Sequence, residues 1–491
     1  MSGALRISRL KALVWLVISL WLEGPAPASV AASLPAKPNI IIILSDDLGY
    51  GDLSCYRQEA NFHDSPAHTP HIDSLAAQGV KFSQAYAAQM CSASRASLLT
   101  GRYAQRFGFY ENQDADAGLP KSEVTLAELL QSHGYATACI GKWHVGHRPG
   151  HRPLDRGFER FYGFLGAAHD YFKPGVGTDT EGPIHEGSFI WDQDQPVTSM
   201  KYLTDQLGEV AVAFIDQSQR ARKPFFLYLA FNAPHAPAQP KPEIEREMAR
   251  LPGVQNQARN AARAMIDSLD QNVGRLMREL FLRGIDRQTL VVFASDNGGN
   301  EYEFADGIRS VQHNGGLRGR KFLLWEGGIR VPLILRWKGT LPEGKVFTGL
   351  CNLFDVFATA ASAASAPIPP GRQLDSVDLL PYARGEKTGD PHQTLHATFM
   401  PSRDEWCVRI GDWKLIRGQD SLRAGTVGKA GGAKSPIVTG LYRISDDPFE
   451  RRNLLAEFPE KAAMLREAHQ RFIASCPPSL GQASKRPTPG R

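Results

Sequence analysis

Two pairs of oxygen-bearing side chains follow two apolar runs of this sequence. Asp46 and Asp47 come directly after a β-branched run. Asp296 and Asn297 follow a second apolar run. Such runs are typical of strands that are buried on both faces. Carboxylate and amide oxygens are the ligands of hard cations such as Ca²⁺ or Mg²⁺, whereas Zn²⁺ favours His or Cys. The four residues together predict a hard-cation site, although each pair taken alone is more often a turn or a helix cap.

Basic residues occupy comparable positions after other predicted strands. Lys142 and His144 alternate in an extended stretch, so their side chains can point to the same side. His235 follows a further strand, and Lys321 lies in a glycine-rich segment. Ligands of open α/β sheets bind beyond the carboxyl ends of the strands. A divalent cation among fixed positive groups there would suit an oxyanion ester. Taken singly, Lys321 is better explained as a solvated surface lysine, and His235 as a loop histidine between prolines.

A cysteine begins a short predicted helix. Residues 91–102 read Cys-Ser-Ala-Ser-Arg-Ala-Ser-Leu-Leu-Thr-Gly-Arg. At the N-terminus of a helix, unpaired N–H groups and the helix dipole stabilise negative charge on a thiol such as that of Cys91. Arg95 lies one turn further on and can share the face of Cys91. The alternative is a structural cysteine that caps a core helix, since free cysteines are often buried.

This segment resembles the signature of the type I, formylglycine-dependent sulfatases, an arylsulfatase-like family of the alkaline phosphatase superfamily. The signature is Cys-x-Pro/Ala-x-Arg followed by a Leu-Thr-Gly-Arg ending. Six further segments are similar to the family and occur in the family's order: 45–52, 141–146, 233–237, 295–298, 321–332 and 441–450. Together they extend the resemblance over most of the chain.

The resemblance implies that Cys91 is converted after translation to formylglycine (3-oxoalanine), whose hydrate is the nucleophile. It also implies one Ca²⁺ per chain, held by the modified Cys91 and by Asp46, Asp47, Asp296 and Asn297. Ala93 stands where many members have proline. In the family, the oxygen-dependent maturase favours proline there, and the radical-type maturase tolerates alanine. Conversion of Cys91 therefore depends on which maturase is the partner of this chain.

The mechanism that the resemblance implies has two steps. One hydroxyl of the hydrate attacks sulfur and forms a covalent sulfo-enzyme, while His235 protonates the leaving alcohol alongside Lys321. His144 then takes a proton from the second hydroxyl, and sulfate is eliminated. Arg95, Lys142 and Lys321 would hold the sulfate oxygens.

Two other functions fit parts of this pattern. One is a phosphate or phosphonate ester hydrolase of the same superfamily, against which the Cys-x-Ala-x-Arg signature and a single-metal ligand set argue. The other is an unmodified, non-catalytic sulfoglycan-binding protein, which would not need the acid, base and metal residues. We expect a sulfated carbohydrate as substrate, either a small molecule or an oligosaccharide. Arg148, His169 and Asp170 are candidate substrate contacts because their segment follows His144, although a surface loop with incidental charges explains each of them equally well.

The elements that must position these residues alternate between strands and helices. Strand patterns lie at 39–45, 135–140, 224–232 and 290–295, and the best amphipathic helix pattern lies at 262–280. The alternation predicts an α/β catalytic domain over 33–385, with a large, mainly parallel sheet flanked by helices as in alkaline phosphatase-like folds. Short strands and one covering helix predict a small antiparallel α+β subdomain over 386–476. A disordered tail is expected at 477–491.

The composition and the N-terminus indicate a globular, exported protein. Apolar residues make up 42% and charged residues 22% of the 491, which excludes a fibrous or disordered chain. Residues 1–32 combine three cations, an apolar run and small residues, as in a signal peptide, so we expect a periplasmic or secreted protein; an uncleaved anchor is the alternative. Removing them lowers the formal net charge from +5 to +3, too small an excess to predict nucleic-acid binding. No membrane segment would remain. The six cysteines form no metal-ligand pattern.

Overall fold

The structure is a computed structural model that describes residues 37–59, 67–175, 189–250, 257–303, 309–311, 313–399, 403–420 and 436–483. The predicted signal peptide, residues 1–32, lies outside the described residues. Within those residues, no helix is both long enough and apolar enough to cross a membrane. All six cysteines are described and are free thiols.

A large sheet forms the centre of the fold. The first thirteen strands are β1 (Asn39–Ser45), β2 (Val80–Tyr86), β3 (Ala136–Lys142), β4 (Arg160–Phe164), β5 (Trp191–Asp192), β6 (Gln195–Pro196), β7 (Phe225–Ala230), β8 (Thr289–Ser295), β9 (Glu301–Glu303), β10 (Arg309–Val311), β11 (Arg330–Arg336), β12 (Lys345–Phe347) and β13 (Cys351–Asn352). Eleven of them form one sheet in the order β12-β2-β11-β8-β1-β7-β3-β4-β5-β6, with β13 beside β2, while β9 and β10 pair separately. The central strands β8, β1, β7, β3 and β4 are parallel to their neighbours in that run, and β11 is antiparallel. The predicted large, mainly parallel sheet is confirmed.

The described residues form eleven α-helices, several of which cover both faces of this sheet. They are α1 (Pro70–Ala77), α2 (Cys91–Thr100), α3 (Leu126–Ser132), α4 (Leu203–Arg220), α5 (Pro242–Met248), α6 (Gln257–Leu282), α7 (Glu326–Ile329), α8 (Asp355–Ala363), α9 (Leu380–Arg384), α10 (Pro459–Ala474) and α11 (Leu480–Ala483). Alternate residues of β1 enter two separate hydrophobic layers: Ile42 packs in the layer that includes α2, α3 and α8, and Ile43 in the layer that includes α4 and α6. Because both faces are covered, β1 is apolar at successive positions and buried throughout.

Local signals place the ends of several elements. Thr125 caps α3: its Oγ1 accepts from the Glu128 N–H at 3.1 Å, and its own N–H donates to the Glu128 carboxylate at 2.7 Å. The predicted strand 135–140 is shorter than β3, which continues to Lys142. Lys142 is therefore the last residue of a buried strand, which fixes the direction of its side chain.

The C-terminal region forms a separate antiparallel sheet, as predicted. Its strands β14 (Thr394–Thr398), β15 (Trp406–Ile410), β16 (Trp413–Gln419) and β17 (Ile437–Arg443) pair in sequence order. Val408 and Leu415 pack against Leu465 of α10, so this helix covers one face of the sheet. Part of the expected tail is ordered: Leu480 N–H donates to the carbonyl of Gly108 at 2.9 Å. Residues 484–491 lie outside the described residues.

Candidate active site

The carboxyl ends of three strands bring the predicted acidic and basic residues together. β1 and β8 run parallel with Ser45 opposite Ser295, so the residues that follow each strand are neighbours. The backbone N–H of Asp47 donates to Oδ1 of Asp296 at 3.2 Å. Lys142, at the end of β3, donates its Nζ to Oδ2 of Asp46 at 2.7 Å. All of these side chains are buried, so charged groups meet here away from bulk water.

Cys91 begins α2 and faces this cluster. Its Sγ lies 3.0 Å from Nζ of Lys321, 3.5 Å from Oδ1 of Asp46 and 3.9 Å from Oδ1 of Asp47. The expected stabilisation of a thiolate at the helix N-terminus is outweighed here. Burial raises the pKa of the Cys91 thiol to about 12, although Lys142 and Lys321 oppose the rise. An unmodified thiol in this environment is protonated.

Arg95 is one turn along α2 and is fully buried. Its Nε and Nη2 both donate to Oδ2 of Asp296, at 3.0 and 2.7 Å, and Nη1 donates to the carbonyl of Lys142 at 3.0 Å. Nη2 is also 3.8 Å from Oδ1 of Asp46. Burial disfavours the charge of Arg95, but Asp296 and Asp46 hold the pKa of Arg95 above its usual range. Arg95 thus links α2 to the ends of β1, β3 and β8.

Asp47 is shared between Lys321 and Asn297. Its backbone has φ of 64°, a conformation that is uncommon for residues other than glycine. Burial opposes ionisation of Asp47, but the positive charge of Lys321, with smaller effects of His235 and Lys142, holds its pKa below the usual range. Nζ of Lys321 lies 2.8 and 3.0 Å from the two carboxylate oxygens of Asp47. Nδ2 of Asn297 donates to Oδ1 of Asp47 at 2.7 Å.

Several atoms of the cluster are arranged as cation ligands. One ligand atom from each of Asp46, Asp47, Cys91 and His235 lies within 4.8 Å of the others. Oδ1 of Asn297 is buried and has no hydrogen-bond partner among the residues that the structure describes. A buried amide oxygen of this kind is normally satisfied, so coordination of a cation would explain it.

Two histidines lie beside the cluster. His144 follows β3 with φ of 55°; burial, together with Lys142 and Arg95, lowers the pKa of His144 well below its usual range, so its imidazole is neutral. Nδ1 of His235 donates to the carbonyl of Ala236 at 2.8 Å, and its Nε2 lies 3.7 Å from Oδ2 of Asp47. Burial, with Lys321 and Lys142, lowers the pKa of His235 to about 3.

Two of the three candidate substrate residues, His169 and Asp170, contact the backbone of their own loop. Arg148 is exposed. Nδ1 of His169 donates to the carbonyl of Asp170, and the Asp170 carboxylate accepts the N–H groups of Phe172 and Lys173, each at 2.8 Å. These contacts shape the backbone after residue 168.

Sequence reasoning missed Gln239, which connects that loop to the His235 segment. Its Nε2 donates to Oδ2 of Asp170, and its Oε1 accepts the N–H of Tyr171, both at 2.8 Å. Gln239 is separated from Asp170 by 69 positions and belongs to none of the motifs, so no sequence signal was available. Asp170 and Gln239 therefore tie two loops at the site together.

The chain is similar to known sulfatases over most of its length. The sequence profile of the Sulfatase family matches residues 38–366. "Uncharacterized sulfatase YdeN" of Escherichia coli (strain K12) is 30% identical over 520 aligned positions, which cover 92% of this chain and 88% of YdeN. N-acetylgalactosamine-6-sulfatase of Sus scrofa is 32% identical, with 91% of this chain and 88% of the relative covered. The crystal structure of Ps i-CgsB in complex with k-i-k-neocarrahexaose has a TM-score of 0.76 and 30% identity, and covers 90% of this chain and 94% of that one.

The fold, the order of the motifs and the similarity over both sheets agree with one another. The family match alone spans more than half of the chain, and the relatives extend it through the C-terminal sheet. This chain therefore belongs to the sulfatase family of the alkaline phosphatase superfamily and is a sulfuric ester hydrolase.

Proposed function

We propose that this chain hydrolyses sulfate monoesters of a carbohydrate, with a formylglycine at position 91 and a bound Ca²⁺. The observation that carries the proposal is the position of Cys91, whose Sγ lies 3.5 Å from Asp46, 3.9 Å from Asp47 and 3.0 Å from the ammonium group of Lys321. Residue 91 thus lies beside two candidate cation ligands and one fixed positive group. This environment suits attack on a sulfate ester, because a cation and fixed positive groups stabilise the charge that develops on the peripheral oxygens.

The donor chemistry fits Ca²⁺. The residues that would hold the ion are Asp46, Asp47, Asp296 and Asn297, together with the modified residue 91. Three carboxylates and one amide oxygen form a hard-donor set, and the unpartnered Oδ1 of Asn297 supports this assignment. When bound, the ion supplies Lewis-acid polarisation of the reacting oxygens.

The remaining residues bind the sulfate and move protons. Lys142, Lys321 and Arg95 place three positive charges at the carboxyl edge of the sheet, where they would hold the sulfate oxygens. Nε2 of His235 faces the cluster because its Nδ1 donates to a backbone carbonyl. The imidazole is neutral and Nε2 carries no proton of its own, so Nε2 would take a proton from the ammonium group of Lys321 and pass it to the leaving alcohol. The neutral imidazole of His144 can accept a proton. A hydrated aldehyde at residue 91 carries two hydroxyl groups, one to attack sulfur and one to release sulfate by elimination.

The substrate class and the location extend this proposal. One similar relative is an N-acetylgalactosamine-6-sulfatase, and one similar structure was solved with k-i-k-neocarrahexaose. These names support a carbohydrate sulfate as the substrate of this chain. The signal-peptide pattern of residues 1–32 supports export to the periplasm or the medium.

Mass analysis of the Cys91 peptide from the native host tests the nucleophile. We expect a formylglycine residue in a substantial fraction of the peptide, and an entirely unmodified thiol would contradict the mechanism. Ala93→Pro is a matched variant for a host that contains only the oxygen-dependent maturase, where it should raise the converted fraction. The first helical hydrogen bond of α2 runs from the Ser94 N–H to the carbonyl of Met90, so a proline at position 93 removes no hydrogen bond of the helix.

Paired assays test the reaction class. Sulfate and phosphate monoesters of the same alcohol should be compared with one enzyme preparation of known conversion. We expect faster hydrolysis of the sulfate ester, whereas faster hydrolysis of the phosphate ester would identify a phosphatase. Desulfation of glycosaminoglycan and algal oligosaccharides would then identify the substrate.

A further inference from the structure

Lys321 belongs to a segment that lies between the two sheets. We refer to residues 317–329 as the Lys321 segment. On the side of the large sheet, the Lys321 N–H donates to the carbonyl of Gly299 at 3.1 Å, and the Phe322 N–H donates to the carbonyl of Gln89 at 2.8 Å. Gly299 and Gln89 lie close in sequence to Asn297 and Cys91 of the candidate site. These two hydrogen bonds fix the position of the Lys321 backbone relative to the candidate site.

On its other side, the Lys321 segment contacts the C-terminal sheet. The guanidinium group of Arg318 donates to the hydroxyl of Tyr442 and to the carbonyl of Glu450, both at 3.1 Å, and to Oδ1 of Asp420 at 3.2 Å. It also stacks on the ring of Trp325, 3.5 Å from the ring centroid. Arg318 therefore ties the first turn of the segment to three positions in the C-terminal region.

A buried ion triad makes the second connection. Nζ of Lys414, on β16, lies 2.9 Å from Oε1 of Glu326 and 2.9 Å from Oε1 of Glu450. The backbone N–H of Glu326 donates to Oε2 of Glu450 at 2.7 Å. All three side chains are fully buried, so the triad holds only while each member remains in place. Sequence reasoning quoted Glu450 within a family-like segment but gave it no role.

The backbone of the Lys321 segment is itself unusual. Phe322 has φ of 70°, and Gly319 has φ of 82° with no room for a Cβ, which would lie 2.8 Å from Cβ of Trp325. Such conformations persist only where the surroundings hold them. Leu323, Leu324 and Trp325 are held in one hydrophobic cluster with residues of the C-terminal sheet.

We propose that the C-terminal sheet positions Lys321 for catalysis, with Arg318 and Lys414 as positioning residues that act through the Lys321 segment. This inference rests on the proposed function, which assigns Lys321 to the sulfate oxygens. A lysine carries its charge on a flexible four-carbon stem, so the place of its ammonium group depends on the backbone that carries it. A misplacement of about 1 Å can lower turnover by roughly 10²-fold.

A double-mutant cycle on the full-length, converted protein tests the inference. Arg318→Ala should lower kcat/KM for an aryl sulfate by on the order of 10²-fold. In an Arg318→Ala/Lys321→Ala variant we expect no loss beyond that of Lys321→Ala alone, because Arg318 acts only through Lys321. Losses that simply multiply would overturn the inference.

Arg417→Ala is the matched control. Arg417 is an arginine of β16 that pairs with Asp404 at 2.6 Å and lines a cavity beside α10. We expect Arg417→Ala to leave kcat/KM within about twofold of the wild-type value. A loss equal to that of Arg318→Ala would contradict the specific role of Arg318, because any damage to this sheet would then lower kcat/KM.

Lys414→Met gives a second route to the same result. If the variant folds, as judged by thermal unfolding, its loss should also vanish in the Lys321→Ala background. If it does not fold, the Arg318 cycle decides alone. Calorimetric titration with inorganic sulfate adds a readout that needs no turnover: Arg318→Ala should weaken sulfate binding as Lys321→Ala does, and unchanged binding would contradict the inference. Full activity of Lys321→Ala would instead refute the role of Lys321 in the proposed function.

Discussion

Lys142→Met removes one cation from a buried charge cluster and should strongly destabilise the protein. Nζ of Lys142 lies 2.7 Å from Oδ2 of Asp46, and the two side chains are 0% and 1% exposed. Methionine has a similar volume but no charge, so the variant leaves the Asp46 carboxylate buried beside a thioether. The nearest remaining compensation is Nη2 of Arg95, at 3.8 Å from Asp46.

The expected loss follows from this burial. Removing one partner of a buried ion pair costs about 3–5 kcal/mol, because the other charge stays desolvated. The partial compensation by Arg95 places the expectation near the lower limit, about 3 kcal/mol. For roughly 450 folded residues, with an unfolding entropy of about 2.1 cal/mol/K per residue, this loss corresponds to a fall in Tm of about 3 °C.

Lys201→Met is the matched control, because Lys201 forms an ion pair of the same length in a different environment. Nζ of Lys201 is 2.7 Å from Oε2 of Glu209, but the side chains are 66% and 37% exposed. Exposed pairs contribute about 0–1 kcal/mol, so the Tm of this variant should change by about 1 °C or less.

Thermal unfolding of both variants, in EDTA and at one scan rate, measures the difference. Chelation matters because a divalent cation at Asp46 could replace the lost ammonium charge. Equal and small shifts for the two variants would refute the reasoning, since they would mean that the Asp46 carboxylate is solvated. Added Ca²⁺ should restore part of the stability of Lys142→Met and leave Lys201→Met unchanged relative to the wild type.

Three further predictions follow from single residues. Gly141→Ala should lower the free energy of unfolding, measured in urea, by more than about 3 kcal/mol, because φ is 110° and a Cβ would lie 1.8 Å from a carbonyl oxygen of β7. Gly284→Ala is the control: the space around Gly284 is open, so the same measurement should show a loss of only about 1 kcal/mol. His469→Phe should flatten the acid side of the pH–stability curve. Burial lowers the pKa of His469 to about 4, so between about pH 4 and 6.5 the unfolded chain binds a proton that the folded protein does not. The contribution of His469 to the free energy of unfolding is therefore complete above about pH 6.5 and is lost, at about 1.4 kcal/mol per pH unit, as the pH falls to about 4. His235→Ala should reduce turnover by about 10²–10⁴-fold for esters with poor leaving groups and by less for activated aryl sulfates, and equal losses for both in steady-state assays would argue against a proton donor.

The sequence predicted the strands of the catalytic edge well because their signals are local. The run of β-branched residues at β1 reports burial on both faces, and the observed strand has the predicted bounds. Errors concern the ends of elements, as with β3, where hydrogen bonds to neighbouring strands extend the strand to Lys142 beyond the apolar pattern. The raised pKa of the Cys91 thiol could not be predicted from the sequence either, because desolvation depends on which residues pack around the helix N-terminus.

The ion pairs within the site explain why its residue types could be predicted from the sequence, whereas the contacts between them could not. Each carboxylate of the site has a cation of its own: Lys142 for Asp46, Lys321 for Asp47 and Arg95 for Asp296. Because all six side chains are buried, loss of any one would leave its partner buried without its nearest opposite charge. The partners, however, are separated by 96 to 274 positions. Two features of the fold bring each cation to its carboxylate. The order of the large sheet places the ends of β1, β3 and β8 at one edge, and the C-terminal sheet packs against the Lys321 segment.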